Sequence, residues 1–177
     1  PVQDRFAEGL LQTLIEEGPK ALSNPDDYEV RANIMWAATM ALNGLIGQGV
    51  PQDWATHMIG HEITALYGLD HAQTLAIVLP ALMQQQRAQK RDKLLQFGQR
   101  VWQLSHQDEE RLIDDTITHT RAFFEQMGVP TRLADYGIAA DAVDKLLAKL
   151  QANGMVKLGE HGDIDLDVSR QILQKAV

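Results

Sequence analysis

The chain has 177 residues, of which 45% are hydrophobic and 23% are charged, and its formal net charge at pH 7 is −8. This length fits one large domain and this composition an ordinary globular protein, which excludes disordered classes, while the acidic balance argues against a nucleic-acid partner. The absence of cysteine excludes disulfides and thiolate metal sites, the absence of a long apolar run excludes a membrane span, and together they predict a cytoplasmic protein.

Apolar residues recur at helical spacing almost throughout, and no stretch alternates strictly enough to predict a sheet. The sequence therefore predicts an all-α helical bundle. The first helix is predicted to end at Glu17, because Gly18 and Pro19 follow it. The chain begins with Pro1, and the amphipathic pattern of a helix starts within the first residues without a preceding capping residue. We therefore expect the chain to be the C-terminal part of a longer protein.

The following helices are delimited by capping and turn residues. Asp26 or Asp27 is predicted to cap the second helix, which continues as far as Leu45. The third is predicted over residues 51–67, with Pro51 in its first turn and Gly68 after its end. Asp70 is predicted to cap a fourth helix over residues 71–88. Further helices are predicted at residues 90–104, 108–127, 140–152 and 167–176.

Three of the six histidines are crowded into the segment HMIGHEITALYGLDHAQTLA, at positions 57, 61 and 71. His57 and His61 are four residues apart on one predicted helix, so their side chains leave the same face, with β-carbons about 5–6 Å apart. His71 follows the break at Gly68, where a chain reversal can return it to that face. Imidazole is the commonest metal ligand, and a rigid helix-turn-helix frame suits convergent donors. The spacing favours a metal site.

Two other interpretations of the histidines stay open on spacing alone. A pair at positions i and i+4 also arises by chance, and all three side chains can be ordinary core or capping residues. Three histidines are also fewer than the roughly four donors of a closed metal site. The zinc-protease pattern is excluded, because position 65 is Ala where that pattern requires a second His.

Other residues with chemical potential are interpreted as structural. Trp54 is predicted to belong to the core, rather than to line a substrate pocket, because a Trp at helical spacing is most often packed inside. The remaining histidines stand singly in polar surroundings and are predicted at the surface: His106, His119 and His161. Three alternating aspartates are predicted to cap the last helix rather than to bind calcium: Asp163, Asp165 and Asp167.

The order ALNGLIGQG, His57-xxx-His61, Gly68, His71 and the apolar TLAIVLP resembles the iron-containing (group III) alcohol dehydrogenases. The segment DWATHMIGHEITALYGLDHAQTLA is most similar to the NADPH-dependent aldehyde reductase and butanol dehydrogenase branch of that family. The likeness runs from QDRFAEGLL to DVSRQIL, although only the histidine segment is sharply specific.

The resemblance implies that residues 1–177 are the C-terminal helical metal-binding domain of the dehydroquinate synthase-like fold, without the N-terminal nucleotide-binding domain. In the family, a divalent metal, iron or zinc, is held by an upstream Asp and His and by two histidines that His57 and His71 match. His61 matches a residue beside the metal and the nicotinamide, which implies a catalytic proton-relay role and a cofactor contact. Dimerisation is common in the family, so a homodimer is implied.

The implied function is that of an NADP(H)-dependent alcohol dehydrogenase or aldehyde reductase acting on small aldehydes and alcohols. The metal polarises the carbonyl for hydride transfer, and NADP(H) is bound mainly by the absent domain. The sequence departs from the family in reading Asp70-His71-Ala72 where many relatives have Pro-His-Gly, and it contains no Gly-rich phosphate loop. We therefore expect the fragment alone to be inactive. The alternative is a free-standing helical metal-binding or adaptor module without its own catalysis.

Overall fold

The computed structural model describes residues 2–177, which form eight α-helices and one short 3₁₀ helix. The α-helices are α1 Val2–Ser23, α2 Tyr28–Leu42, α3 Ala55–Tyr67, α4 His71–Gln85, α5 Arg91–Arg100, α6 Glu109–Gln126, α7 Ala142–Ala152 and α8 Leu166–Ala176, and the 3₁₀ helix is Leu133–Tyr136. Across these residues the β-structure is limited to an isolated antiparallel bridge between Leu158 and Ile164. The all-α prediction is confirmed.

Several helix boundaries lie where local signals predicted them. The Asp27 side chain accepts hydrogen bonds from the Glu29 and Val30 backbone N–H groups at the start of α2. Gly68, with φ +72°, ends α3 in the left-handed conformation that glycine adopts without strain. The Asp165 side chain accepts a hydrogen bond from the Val168 backbone and caps α8. These boundaries are therefore determined by short-range chemistry.

The predicted end of the first helix was wrong. Helix α1 continues through Pro19 to Ser23. Proline removes one intrahelical hydrogen bond and is expected to break or kink a helix. Here Gly18 is buried, and α1 packs along α2, so tertiary packing outweighs the local break signal.

The predicted start of the third helix was also wrong. Helix α3 begins at Ala55, and residues 51–54 form an irregular loop. The Asp53 side chain accepts a hydrogen bond from the Ala55 backbone N–H at 2.7 Å, so the capping acceptor lies two residues after Pro51. Smaller differences occur at α2, α4 and α5, which end earlier than predicted, at Leu42, Gln85 and Arg100.

The helices group into two compact units. The first comprises the residues up to Pro51 together with Asp92–His119, and the second comprises Gln52–Arg91 together with Thr120–Val177. In the second unit α3 packs against α4 and α7, and both α4 and α7 pack against α8. The largest fully buried side chains there are apolar and belong to one cluster: Ile59, Ile63, Ile77, Leu82, Leu133, Leu146, Leu150, Ile164, Ile172 and Leu173. This cluster supports the two helices that carry the histidine segment.

Among residues 2–177, no helix combines the length and the apolar character that a bilayer span requires.

Candidate metal centre

The three histidines of the crowded segment come together in the structure. The ring centroids of His57 and His71 are 5.2 Å apart, and those of His61 and His71 are 5.5 Å apart. His57 and His61, one turn apart on α3, are separated by 6.2 Å. His57 is half-buried, whereas His61 and His71 are exposed. The chain reversal predicted after Gly68 therefore does return His71 to the histidine face of α3.

A close crossing of α3 and α4 brings the histidines together. Gly60 is buried between His57 and His61, and a Cβ at this position would lie 2.9 Å from the Thr74 Oγ1 atom. Real Cβ atoms do not approach another heavy atom so closely, so only glycine permits this crossing. Thr74 lies three residues after His71, and its hydroxyl donates to the His71 carbonyl at 2.9 Å. The crossing therefore fixes the helical turn that presents His71.

The opposite face of α3 is anchored in the core. Ile59 and Ile63 are completely buried, and Met58 packs against the same cluster. Glu62 is buried as well, and its Oε1 atom accepts a hydrogen bond from the Asn153 Nδ2 atom at 2.7 Å. A helix fixed on one face by apolar packing and a buried hydrogen bond can hold side chains on its other face at defined positions.

The environment of His57 favours the neutral imidazole. Partial burial lowers the pKa of His57 below its usual value, and the neighbouring His71 and His61 rings lower this pKa further. Neutral imidazole is the form that ligates metal ions. His57 therefore keeps its ligating form at more acidic pH than an exposed histidine does.

The donor set and spacing fit a partial site for one transition-metal ion. When two imidazoles bind the same ion with N–metal distances of about 2.0–2.1 Å and a tetrahedral N–metal–N angle, their ring centroids lie roughly 5 Å apart. The 5.2 Å separation of His57 and His71 matches this value. Among residues 2–177, no group of three or more His, Asp or Glu side chains is arranged to hold an ion by itself. The ligand roles of His57 and His71 stay predictions.

Trp54 does not belong to the core, contrary to the sequence-based expectation. Its side chain is 48% exposed, and its ring lies edge-on to His57 with centroids 4.9 Å apart. Its Nε1 atom donates to the Gln52 Oε1 atom at 3.1 Å. The reason is helical phase: Trp54 precedes the first turn of α3 on the side of the histidines, whereas Ala55 and Ile59 take the buried side.

The isolated histidines lie outside this cluster. His161 and His119 are exposed, as predicted. His106 is not simply a solvated residue, because its Nε2 atom lies 2.7 Å from the Asp115 Oδ2 atom and only 24% of its side chain is exposed. This pair joins the loop before α6 to the second turn of that helix, in the first unit.

The family description "Fe-containing alcohol dehydrogenase family, C-terminal" matches residues 1–176. The chain belongs to this family. The resemblance read from the histidine segment is therefore confirmed, and the helical fold is that of the C-terminal part of these dehydrogenases.

Individual relatives agree with the family assignment. The NADPH-dependent aldehyde reductase YqhD of Escherichia coli K12 is 63% identical over 175 residues, which cover 99% of this chain and 45% of that protein. The structure of YqhD free of substrate and cofactor matches with a TM-score of 0.98 at 62% identity, over 99% of this chain and 46% of the YqhD chain. NADH-dependent butanol dehydrogenase A of Thermotoga maritima matches with a TM-score of 0.93 at 30% identity, over 100% and 46% of the two chains. The chain thus spans a little under half the length of these dehydrogenases.

Sequence reasoning missed several residues that pack or pair close to the two histidine-bearing helices. Gly60 carried a readable signal, because a glycine inside a helical pattern usually marks close packing or function. Thr74 carried none. Asp53 and Lys90 are 37 positions apart, and their Oδ2 and Nζ atoms lie 2.9 Å apart in the structure. A pairing over such a distance along the chain leaves no local signature.

Proposed function

We propose that the full-length protein is a metal-dependent, NADP(H)-dependent aldehyde reductase and alcohol dehydrogenase, and that this chain is its metal-binding helical half. The observation that carries the proposal is the convergence of three imidazoles, with centroids 5.2–6.2 Å apart, on the face of α3 opposite the core. The name and 63% identity of the Escherichia coli aldehyde reductase support the assignment of the reaction.

His57 and His71 would hold the divalent metal, and residues outside this chain would supply the remaining donors. Iron and zinc both suit imidazole and carboxylate ligands, so the donor type accommodates either ion. When bound, the ion supplies Lewis-acid chemistry at the carbonyl oxygen. Helix α3, which is anchored in the core, would hold His57 in position to bind this ion.

His61 is proposed as the proton-relay residue and as a contact of the cofactor. Its ring lies 5.5 Å from that of His71 and 6.2 Å from that of His57, and its side chain is exposed. Imidazole exchanges protons near neutral pH, so a ring nitrogen of His61 can deliver the proton that an alcohol product requires. Its exposure leaves it accessible to a substrate and to the nicotinamide of NADP(H).

The test uses the full-length protein. We expect bound metal, and aldehyde-dependent oxidation of NADPH with small aldehydes as substrates. His57→Ala should lose at least about 90% of the bound metal, since removing a ligand leaves an open coordination position. His119→Ala is the matched control, because His119 is an exposed histidine of α6 outside the cluster, and it should retain the metal.

The possible outcomes separate the competing interpretations. Undiminished metal in His57→Ala would remove His57 as a ligand. Bound metal without any turnover in the wild-type protein would favour the free-standing metal-binding or adaptor module instead. Normal metal content with lost turnover in His61→Ala is the result expected for a proton-relay residue.

The proposal extends to the location and assembly of the whole protein. A cytoplasmic homodimer is expected: the lack of cysteine suits a reducing compartment, and the family resemblance implies the dimer. Cell fractionation and light scattering of the full-length protein test these points. A secreted protein or a stable monomer would contradict them.

A further inference from the structure

A partly buried ion cluster connects the start of helix α3 with two other segments of the second unit. The Lys90 Nζ atom lies 2.9 Å from the Asp53 Oδ2 atom and 2.7 Å from the Glu160 Oε2 atom. The three side chains are only 19%, 20% and 21% exposed, respectively. Burial disfavours the ammonium group, but hydrogen bonds to Glu160 and Asp53 raise the pKa of Lys90 above its usual value. Lys90 is therefore a charged link between two carboxylates.

Asp53 transmits this link to the first turn of α3. While its Oδ2 atom contacts Lys90, its Oδ1 atom accepts a hydrogen bond from the Ala55 backbone N–H at 2.7 Å. Trp54, the formal N-cap residue, makes no side-chain capping bond. Asp53 therefore supplies the acceptor that the free N–H groups of a helix start require. His57 is the third residue of α3 and lies in this same turn.

Glu160 lies in a loop that is held in place by hydrogen bonds and by the apolar core. The loop that carries it is closed by two backbone hydrogen bonds, from Leu158 N to Ile164 O at 2.8 Å and from Ile164 N to Leu158 O at 3.0 Å. Leu158 and Ile164 both belong to the apolar cluster of the second unit. Lys90 itself lies in the turn that follows α4, where its backbone N–H donates to the Gln86 carbonyl at 2.8 Å.

We propose that Lys90 is a positioning residue of the histidine site, which acts through Asp53 on the first turn of α3 and so fixes His57 relative to His71. This inference rests on the proposed function only in assuming that His57 ligates a metal. Without the ammonium group, Asp53 and Glu160 face each other as two partly buried like charges. Asp53 then turns towards water, and the start of α3 loses its fixed acceptor.

The test measures Zn²⁺ affinity of the full-length protein by competition with a chelator. Lys90→Met should weaken Zn²⁺ binding about tenfold or more, the range found when groups supporting metal ligands are removed. Lys90→Arg should bind Zn²⁺ within about threefold of wild type, because a guanidinium can donate to both carboxylates at once. Unchanged affinity in Lys90→Met would overturn the proposal, as would failure of Lys90→Arg to restore binding.

Arg121→Gln is the matched control for general destabilisation. Arg121 is a half-buried cation of the same unit, and its Nη1 atom donates to the Thr131 hydroxyl at 2.7 Å. This variant should lower the thermal midpoint without weakening Zn²⁺ binding. An equal loss of Zn²⁺ affinity in Arg121→Gln and Lys90→Met would show a merely structural effect and contradict the proposal.

Two further arms keep the result decisive. If Lys90→Met does not fold, Asp53→Asn decides the question: it keeps an acceptor for Ala55 but weakens the link to Lys90, and unchanged Zn²⁺ affinity in this variant overturns the inference. Wild-type protein that binds Zn²⁺ in a Lys90-dependent manner but does not reduce aldehydes would refute the proposed function alone. Active wild-type protein with Lys90-independent Zn²⁺ binding would refute the positioning role alone.

Discussion

Gly60 shows how one missing side chain determines the geometry of the candidate site. The Thr74 hydroxyl occupies the space that a Cβ of residue 60 would need, at 2.9 Å. The first unit contains a second crossing of this kind, where a Cβ at Gly98 would collide with the Thr116 Oγ1 atom. In both cases the threonine hydroxyl donates to a carbonyl of its own helix, so it cannot move away without losing a hydrogen bond.

Gly60→Ala is expected to lower the free energy of unfolding by about 1–3 kcal/mol, the usual cost of overpacking a core. Urea denaturation of the chain measures this. Gly9→Ala is the control: Gly9 lies in α1, and a Cβ at this position would meet no atom within 4 Å. Alanine there should stabilise the helix by about 0.5–1 kcal/mol.

The Gly60→Ala/Thr74→Ala double variant tests the cause of that loss. Removing the Thr74 hydroxyl relieves the contact, so the combined loss should be smaller than the sum of the two single losses. Strict additivity would mean that Gly60 and Thr74 do not determine the crossing together.

At the scale of elements, a charged seam joins α1 to α5 in the first unit. The Glu8 Oε1 atom accepts hydrogen bonds from Gln96 at 2.7 Å and from Arg100 at 3.0 Å. The Lys93 Nζ atom lies 2.8 Å from the Asp4 Oδ1 atom. Burial raises the pKa of Glu8, but the hydrogen bonds from Gln96 and Arg100 outweigh it, so the pKa lies below its usual value. Folding therefore favours the charged carboxylate.

The seam predicts a pH-dependent contribution to stability. Because the pKa of Glu8 is lower in the folded state, its contribution is present above the unfolded value of about 4.3 and is lost as the pH falls through the lower folded value. Glu8→Gln should lower the free energy of unfolding by about 1 kcal/mol at pH 7, with little difference from wild type in strong acid. Urea unfolding across this pH range measures it. Glu16→Gln changes an exposed residue of the same helix and should leave the free energy of unfolding unchanged. If Glu8→Gln lowered the free energy of unfolding equally at all pH values, the stabilisation would not come from the charged Glu8 carboxylate.

At the scale of the whole molecule, the chain is a little under half the length of the relatives that it matches. It offers two of the proposed metal ligands, His57 and His71, whereas a stable site uses about four donors. Its sequence contains no Gly-rich phosphate loop for a dinucleotide. The chemistry that the family resemblance implies therefore needs metal donors and a cofactor site beyond those that these 177 residues offer.

The isolated 177-residue chain is expected to fold, because α3, α4, α7 and α8 share an apolar core, but to bind Zn²⁺ weakly and not to oxidise NADPH with aldehydes. Circular dichroism, calorimetric Zn²⁺ titration and a spectrophotometric assay measure the three points. Weak Zn²⁺ binding should decrease further in acid, because only neutral imidazole ligates the ion. Turnover by the purified chain would contradict the proposal that the reaction needs residues beyond these 177.

The helical class, the end of α3 at Gly68 and the crowding of three histidines into one segment were predictable from the sequence. The sequence narrowed the cap of α2 to Asp26 or Asp27 and that of α8 to three aspartates, and the structure selects Asp27 and Asp165. These features depend on hydrophobic periodicity and on contacts between residues that are close in sequence. The amino-acid sequence therefore shows them directly. The family resemblance was readable for the same reason, since it rests on the spacing of His57, His61 and His71 within one short segment.

Four features of the folded protein were not predictable from the sequence: the continuation of α1 through Pro19, the exposure of Trp54 beside His57, the close approach of Gly60 to Thr74, and the ion pair of Lys90 with Asp53. Packing against a distant segment can outweigh a local break signal, and helical phase decides which side of a helix is buried. The 2.9 Å contact of Lys90 with Asp53 joins residues far apart in sequence. Such pairings depend on how the chain folds back on itself, and no stretch of sequence contains that information.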